Sequence, residues 1–408
     1  MEKPKIRFES FEKKWESYRL SEYSSYRRGS FPQPYGNKEW YGGNNAMPFV
    51  QVVDVLENLR LVADTKQKIS TLAQPMSVFV PSNSVIVTLQ GSIGRVAITQ
   101  YDAYVDRTIL IFEDYISQTN KEFWAYTIQN KFEIERQKAP GGTIKTITKE
   151  ALSDFKVSIP SYSEQSAIGS LFRILDDLLA SYKDNLANYQ SLKTTMLSKM
   201  FPKAGQTVPE IRLDGFEGEW EIVKLGDNCR IITGGTPRTG VKEFWNPKEI
   251  PWMSSGEINK KILNETEEMI SYIGLENSSA KWVKQNSVLI ALAGQGQTRG
   301  RVAINKIPLT TNQSIAAIET NYNIDFLFLY TDLSRRYDEL RLISSGDGTR
   351  GGLNKTIISN LELNLPTLEE QQAIGTYFSN LDNLISAHQE KIFQLETLKK
   401  KLLQDMFI

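Results

Sequence analysis

Residues 160–169, PSYSEQSAIG, decide how the chain is organised, because nearly the same stretch returns as PTLEEQQAIG at residues 366–375. Each copy has a proline, then a serine or threonine, and then a glutamate three residues further on, which is the pattern of a helix-capping box. A segment without glycine or proline follows each copy, at 170–201 and at 376–408. We therefore predict two long helices, each beginning at one copy of this stretch.

The repeat extends over the whole chain with a period of about 205 residues. GRVAI at 94–98 returns unchanged at 300–304, and PKIRF at 4–8 returns as PEIRL at 209–213. The order of the shared elements never changes, which indicates a tandem duplication. Solenoid repeats are far shorter, at about 20–50 residues. Each copy therefore predicts one globular domain followed by one long helix.

Both helical segments carry apolar residues at alternating spacings of four and three, which is typical of a coiled coil. We predict that the two helices pair antiparallel within one chain, since matched stripes on one chain meet at high effective concentration. A bundle core or a homodimer seam is the alternative. His388 stands where the first copy has Tyr182 and is interpreted as a seam residue. The predicted packing residues are Ile168, Phe172, Leu175, Leu179, Leu186, Ile374, Phe378, Leu381, Ile385 and Ile392.

The composition is that of a globular protein, with 40% apolar and 24% charged residues among 408. No apolar run approaches the ~20 residues of a membrane helix, and the first ten residues lack the apolar stretch of a signal peptide. We therefore expect a cytoplasmic protein. Basic and acidic residues number 48 each, so the net charge is zero. This balance does not by itself favour nucleic-acid binding, although it permits local basic patches.

Cys229 and His388 are the sole cysteine and histidine, so an internal disulfide and a Cys/His zinc site are both excluded. A catalytic Cys/His pair would need these two residues, and His388 lies at an apolar position of a helix. The chain has no Gly-Lys-Ser/Thr phosphate loop. Asn246-Pro247-Lys248 is its nearest approach to the Asn/Asp-Pro-Pro-Tyr/Phe element of adenine methyltransferases, and it does not match. We expect no catalytic residue and no metal.

The two globular domains read as mixtures of strands and short helices joined by polar, glycine-rich loops. The predicted strands span 84–89, 95–99, 108–112, 287–292, 301–305 and 314–319, with helices near 122–131 and 325–337.

The loops combine glycine with cationic, amide, hydroxyl and aromatic side chains. Arginine and lysine pair with phosphates or with guanine, and asparagine and glutamine pair with adenine. This composition leaves DNA contact and ordinary solvated loops both open, and the family resemblance given below favours DNA contact for the loops as a set. The predicted DNA-binding residues are Arg27, Arg28, Lys38, Trp40, Gln90, Ser92, Arg95, Lys145, Lys149, Thr236, Arg238, Lys242, Gln295, Gln297, Thr298, Arg299, Arg301, Asn312, Gln313, Arg350 and Lys355.

Several motifs, doubled and in constant order, resemble the specificity subunits of type I restriction-modification systems. Single motifs are weak, and their order over essentially the whole chain is specific. The motifs are Thr233-Gly234-Gly235-Thr236-Pro237, Phe244-Trp245, Ile250-Pro251-Trp252, Gln297-Thr298-Arg299-Gly300-Arg301, Asn312-Gln313-Ser314, and the Ile-Pro or Leu-Pro that leads into Glu-Gln at 159–165 and 365–371.

The resemblance implies an α+β fold with two tandem mixed α/β target-recognition domains, separated by two long antiparallel coiled-coil helices with pseudo-twofold symmetry. The domains would span 1–160 and 204–366, and the spacer helices 161–203 and 367–408. Each domain would read one half of a bipartite double-stranded DNA target, and the helices would set the gap. Two methyltransferase subunits would bind the helices, and motor-nuclease subunits could join them. S-adenosylmethionine and ATP would be bound by those partners, with no cofactor on this chain.

The first domain departs from the family pattern in two places. Asp106-Arg107-Thr108 stands where the second copy has Asn312-Gln313-Ser314, and Tyr26-Arg27-Arg28-Gly29 replaces the Gly-Gly-Thr-Pro turn. Two other functions remain open: a scaffold that binds no DNA, and the specificity subunit of a system that only modifies DNA.

Overall fold

The computed structural model describes residues 4–138, 152–294, 298–343 and 352–407. The helices are Leu20–Tyr23 (α1), Lys121–Lys138 (α2), Tyr162–Lys199 (α3), Leu225–Asn228 (α4), Tyr272–Glu276 (α5), Phe326–Arg335 (α6), Tyr337–Ile343 (α7), Lys355–Ser359 (α8) and Leu368–Met406 (α9). The strands are Glu16–Arg19 (β1), Ser24–Arg28 (β2), Met47–Val50 (β3), Gln67–Ile69 (β4), Val78–Val80 (β5), Val85–Thr88 (β6), Val96–Ile98 (β7), Ala103–Val105 (β8), Ile109–Tyr115 (β9), Lys156–Ile159 (β10), Glu221–Lys224 (β11), Cys229–Thr233 (β12), Ile250–Met253 (β13), Ile262–Leu263 (β14), Glu268–Ile270 (β15), Val288–Ala291 (β16), Val302–Asn305 (β17), Thr310–Thr311 (β18), Ile315–Thr320 (β19) and Glu362–Leu365 (β20).

The chain forms two compact units, and the boundary between them falls inside both long helices. Met1–Asp184 and Gln389–Ile408 make up one unit, and Asn185–His388 make up the other. Each unit therefore contains one mixed α/β domain, the N-terminal part of the helix that follows it, and the C-terminal part of the other long helix. Within the described ranges, no helix combines the length and the apolar character needed to cross a membrane.

The first unit contains three sheets. A four-stranded sheet has the order β2-β9-β6-β7, a second has the order β4-β3-β8-β5, and β1 pairs with β10. The β1–β10 pair is antiparallel, with Glu16 opposite Ile159. It therefore joins the start of the domain to the strand that leads into α3.

The second unit repeats most of this topology, with five strands instead of four in one large sheet and three instead of four in the other. Its larger sheets have the orders β12-β19-β16-β17-β14 and β15-β13-β18, and β11 pairs with β20. The parallel contact between β13 and β18 matches the parallel contact between β3 and β8. The sequence prediction of two tandem mixed α/β domains is thereby confirmed.

The first turn of each long helix differs from the predicted capping box. The Ser161 hydroxyl oxygen accepts from the Glu164 amide at 3.4 Å, as predicted. The Glu164 carboxylate, however, does not return to the cap. It accepts from Arg7 Nε at 2.7 Å and Arg7 Nη2 at 2.8 Å, and Trp15 Nε1 donates to it at 3.2 Å. A bidentate guanidinium is a stronger partner for a carboxylate than a neutral backbone amide is.

In the second unit, the equivalent glutamate also binds an arginine instead of the backbone at the cap. Glu370 accepts from Arg212 Nε at 2.7 Å and Arg212 Nη2 at 2.6 Å, while the Thr367 hydroxyl oxygen accepts from the Glu370 amide. Both glutamate side chains are 1% exposed. Each pair fastens the first segment of a domain to the helix that follows that domain.

In the first unit, α3 and the C-terminal part of α9 pack antiparallel. Phe407 stacks on Phe123 at a centroid distance of 5.6 Å. The Lys183 ammonium lies 2.6 Å from Glu396, and Lys399 pairs with Asp176. The polar pairs flank the apolar seam, so the helix pair combines a buried stripe with specific ionic contacts.

In the second unit, the C-terminal part of α3 packs antiparallel on the N-terminal part of α9. Phe201 stacks on Phe328 at 5.6 Å, and Lys193 Nζ lies 2.5 Å from Asp382 Oδ1. The His388 ring meets the Tyr189 ring at 5.1 Å. Phe201 and Lys193 thus make, in this unit, the contacts that Phe407 and Lys399 make in the other.

The predicted packing residues are buried or half-buried along these seams. The buried ones are Ile168, Phe172, Leu175, Leu179, Ile374, Phe378 and Leu381, and the half-buried ones are Leu186, Ile385 and Ile392.

Replacing Arg7 with methionine is expected to destabilise the protein by about 3–5 kcal/mol, because it leaves the buried Glu164 carboxylate without its guanidinium. Urea-induced unfolding measures the change. The double variant Arg7→Met/Glu164→Gln removes the uncompensated charge and should recover much of the loss. A single variant within about 0.5 kcal/mol of the parent, the usual range for an unimportant surface substitution, would contradict this role.

Candidate nucleic-acid interface

The loop after β12 is fixed by glycines that touch the neighbouring backbone. Gly234 N donates to Ile315 O at 3.3 Å, and Gly235 N donates to Thr311 O at 2.8 Å. A Cβ on Gly234 would lie 2.1 Å from Thr311 O, so a larger residue does not fit. Trp252 Nε1 donates to Gly235 O at 3.0 Å. The Gly-Gly-Thr-Pro motif therefore shapes the backbone and anchors the loop.

Asn312-Gln313-Ser314 form a tight turn between β18 and β19. Ser314 N donates to Asn312 Oδ1 at 3.1 Å, and Ile315 N donates to Asn312 O at 3.2 Å. The amide oxygen of Asn312 is therefore used by its own turn. Gln313 is exposed at the tip, where its Oε1 accepts from Thr236 Oγ1 at 2.5 Å.

Two further segments meet this turn through backbone hydrogen bonds. Leu292 N, at the start of the loop between β16 and β17, donates to Ser314 O at 2.8 Å, and Leu353 N donates to Leu292 O at 3.0 Å. The turn between β18 and β19, the loop after β12, the start of the loop between β16 and β17, and the segment around Leu353 therefore lie next to each other.

The first domain makes the equivalent glycine and turn contacts with different residues, although its sequence departs from the family motifs. Gly29 N donates to Ile109 O at 2.9 Å, and a Cβ on Gly29 would lie 2.3 Å from Val105 O. Gly29 thus occupies the place of Gly234. Thr108 N donates to Asp106 Oδ1 at 2.9 Å, as Ser314 N does to Asn312. Aspartate replaces asparagine here because either side chain offers the oxygen that the turn needs.

Sequence reasoning missed Arg107, which stands at the tip of this first-domain turn. It is exposed, and its guanidinium lies over the Tyr35 ring at 5.5 Å. Tyr35 in turn contacts Phe31 at 5.1 Å, and Phe31 contacts Phe49 at 4.7 Å. The repeat could have identified it, because the period aligns Arg107 with Gln313, which was a predicted DNA-binding residue.

Most of the predicted residues of the first domain lie on exposed segments. Arg28 is exposed at the end of β2, Lys38 is exposed in a 3-10 turn, and Gln90 and Ser92 are exposed in the loop between β6 and β7. Trp40, in the same 3-10 turn, is half-buried and packs against the cluster that contains Phe31 and Phe49.

Two other arginines of this domain have protein partners. Arg27 Nε donates to Glu113 Oε1 at 2.5 Å. Arg95 donates to Val55 O at 3.4 Å and to Glu57 at 3.2 Å. Of the predicted residues, Lys145, Lys149, Gln295, Gln297 and Arg350 lie outside the described residues.

In the second domain, Arg238, Lys242 and Lys355 are exposed, and Thr298 and Arg299 are half-buried. The guanidinium of Arg301 lies over the Tyr337 ring at 5.5 Å.

Arg95 and Arg301, from the repeated GRVAI motif, each line a cleft beside the long helices. The cleft in the first unit has a volume of about 1170 Å³ and that in the second about 320 Å³. These two arginines therefore differ in setting from the exposed tips, and DNA contact by either stays a prediction.

Cys229 is packed beside the core of the second domain. Burial raises the pKa of its thiol to about 12. Since the thiolate is the nucleophilic form, this cysteine is poorly suited to catalysis near neutral pH.

The family model for the type I restriction modification DNA specificity domain matches the chain twice, over residues 12–188 and 217–397. The specificity subunit of type I restriction enzyme EcoR124I/EcoR124II from Escherichia coli is 28% identical over 189 residues, which cover 45% of this chain and 46% of that protein. The MjaIX specificity subunit from Methanocaldococcus jannaschii is 31% identical over 197 residues, covering 47% and 44%. The matched stretches span about half the length of these relatives.

The fold is shared with a solved structure over its full length. The crystal structure of a type I restriction-modification system S subunit from M. genitalium gives a TM-score of 0.65 at 14% identity, covering 100% of this chain and 99% of that one.

Replacing Gly234 with alanine is expected to destabilise the second domain by about 1–3 kcal/mol, because the new methyl group would overlap Thr311 O. Gly240→Ala is the matched control, since nothing lies within 4 Å of a Cβ there. Hydrogen exchange of the β19 amides measures both. Equal effects of the two substitutions would show that the close approach at Gly234 does not matter.

Proposed function

The chain belongs to the type I restriction-modification DNA specificity family, and we propose that it selects the DNA site for a complex whose chemistry is performed by other subunits. Each domain reads one half of a bipartite target. The DNA recognised is double-stranded, and the two halves are separated by unspecified bases.

One observation carries the proposal. The glycine that packs against a carbonyl and the neighbouring Asx turn form a loop frame, and this frame occurs twice with different side chains at its tip. Both frames use a glycine against a carbonyl and an Asx turn, yet they present Arg107 in one domain and Gln313 in the other. A frame that is preserved while its tip varies suits two modules that read different sequences. Exposed cations nearby, such as Arg28 and Arg238, would position the DNA backbone.

The long helices supply the spacing and the docking surface in this proposal. Leu178 and Leu384 hold equivalent positions in the repeat, and both are exposed, as are Leu192 and Leu398. Apolar residues that remain exposed at matched positions favour two copies of one partner. We assign these partners as methyltransferase subunits, which would carry S-adenosylmethionine. A complex that also cleaves DNA would add motor-nuclease subunits with ATP, and a modification-only complex would lack them.

A catalytic role for this chain finds little support. Cys229 is half-buried with a raised thiol pKa, and Asp176 is engaged by Lys399 and by Tyr126, whose hydroxyl donates to it at 2.5 Å. A scaffold that binds no DNA would explain the paired helices. It would give no reason for two preserved frames with exposed polar tips.

Co-expression with the cognate methyltransferase subunit is expected to produce N6-methyladenine in one new two-part motif with an unspecified gap. Single-molecule sequencing of the host DNA measures it. Cells with the methyltransferase subunit alone provide the control and should lack the motif. A folded and assembled complex that methylates nothing would favour the scaffold.

Lengthening both helices by four residues, after Tyr189 in α3 and after Ala387 in α9, is expected to widen the gap and leave both half-sites unchanged. These positions face each other, since Tyr189 contacts His388, so the seam is kept on either side. The added turn is about 6 Å long, close to two base-pair steps. The methylated motif reports the gap, and an active variant with the original gap would refute a spacing role.

A further inference from the structure

Arg107 is an exposed cation held on an aromatic support in the first domain. Its guanidinium carbon lies over the Tyr35 ring, 5.5 Å from the ring centroid, and Tyr35 is 42% exposed and contacts buried Phe31. Phe31 also contacts Tyr41 at 5.3 Å and Phe49 at 4.7 Å. This cation–π contact favours one placement of the arginine before any ligand arrives, which lowers the entropy lost on binding.

The cationic group of Arg107 is available to a ligand. No carboxylate pairs with it among the residues that the structure describes, whereas Arg27, in the strand β2 that pairs with β9, is paired with Glu113. The backbone at the tip is fixed from three sides: Ile109 N donates to Asp106 O at 3.0 Å, Asp106 N donates to Val50 O at 3.0 Å, and Leu89 N donates to Thr108 O at 2.8 Å. The support and the turn therefore present one side chain in a defined place.

The equivalent position in the second domain holds a neutral residue. Gln313 sits on the same turn, with Asn312 N donating to Met253 O at 3.0 Å and Leu292 N donating to Ser314 O at 2.8 Å. A contact that only neutralises a phosphate would need a cation in both copies. A contact that reads sequence is expected to differ between copies, as arginine and glutamine do here.

Resting on the proposed function, we propose that Arg107 is a specificity-determining residue that reads a guanine in the half-site of the first domain. The planar guanidinium offers two parallel N–H donors, which match guanine O6 and N7 in the major groove. Tyr35 is the positioning residue that holds this plane. We therefore expect the half-site of the first domain to contain a guanine that is recognised by Arg107.

The test uses the full chain assembled with its methyltransferase subunit, acting on a DNA library with all four bases at every target position. Wild-type complex should methylate sites with guanine at one position of one half-site. Arg107→Gln, which installs the residue of the second domain, should reduce discrimination at that position by about 5- to 150-fold, with the other half-site unchanged. Arg107→Lys keeps the charge but loses the planar fork, and should relax the same position.

Arg19→Gln is the matched control. Arg19 is an exposed arginine of the first domain, on β1, that pairs with Asp154 at 3.6 Å. Its substitution should leave every base preference unaltered. Tyr35→Leu should reduce discrimination at the Arg107 position less than Arg107→Gln does.

Two results would overturn the assignment while leaving the proposed function standing. One is that Arg107→Gln weakens methylation at all sites alike, which would identify a phosphate contact. The other is that both Arg107 variants keep the wild-type motif. If the wild-type complex has no bipartite motif, the proposed function itself fails, and the assignment fails with it.

Discussion

Each unit depends on one buried ion pair at the start of a long helix. Arg7 and Arg212 lie in the first segments of the two domains, and they bind the first turn of the helices that follow those domains. Both glutamates are almost fully buried, so neither charge is tolerable without its partner. In each domain, the ion pair and the adjacent antiparallel strand pair, β1–β10 or β11–β20, join the start of the domain to its end. The remaining sheets and helices of the domain lie between these joined ends in the sequence.

The loop frames at the candidate interface rely on a different constraint, the close approach of glycine to a carbonyl. Gly29 and Gly234 each leave no room for a side chain, and this contact fixes the loop against the neighbouring turn. The frame uses backbone atoms and one Asx oxygen. The contacts that form the frame do not involve the side chain at its tip. That side chain can therefore differ between the domains while the frame is kept.

The organisation of the chain could be predicted from sequence because duplication displays it twice. The repeat marked both helices, and the four-three spacing identified seam residues such as Phe172 and Phe378, which are buried. The role of Glu164 was not predictable, since its partner Arg7 lies 157 residues away and a local capping box matched the same letters. Tertiary partners decide such cases.

The candidate site was partly predictable for the same reason. Loop composition indicated the right segments, but it could not rank cations within them, because the ranking depends on partners. Arg27 and Arg28 look alike in sequence, yet one is paired with Glu113 and the other is exposed at the end of its strand. Arg107 was aligned with Gln313 but left out of the predicted contacts, because its segment was interpreted as a departure from the family pattern, although the two turns are built alike.

The stacking of Phe407 on Phe123 has a consequence for how the protein is made. The first unit contains Gln389–Ile408, so its apolar surface around Phe123 and Phe172 is completed by a segment that leaves the ribosome some two hundred residues later. At about 5–20 residues per second, this delay amounts to roughly 10–40 s. The second unit needs only residues 185–388, a continuous stretch, and so it can finish folding first. The domain that is synthesised earlier thus reaches its final packing later, and its aromatic surface around Phe123 and Phe172 stays uncovered by Phe407 during that interval.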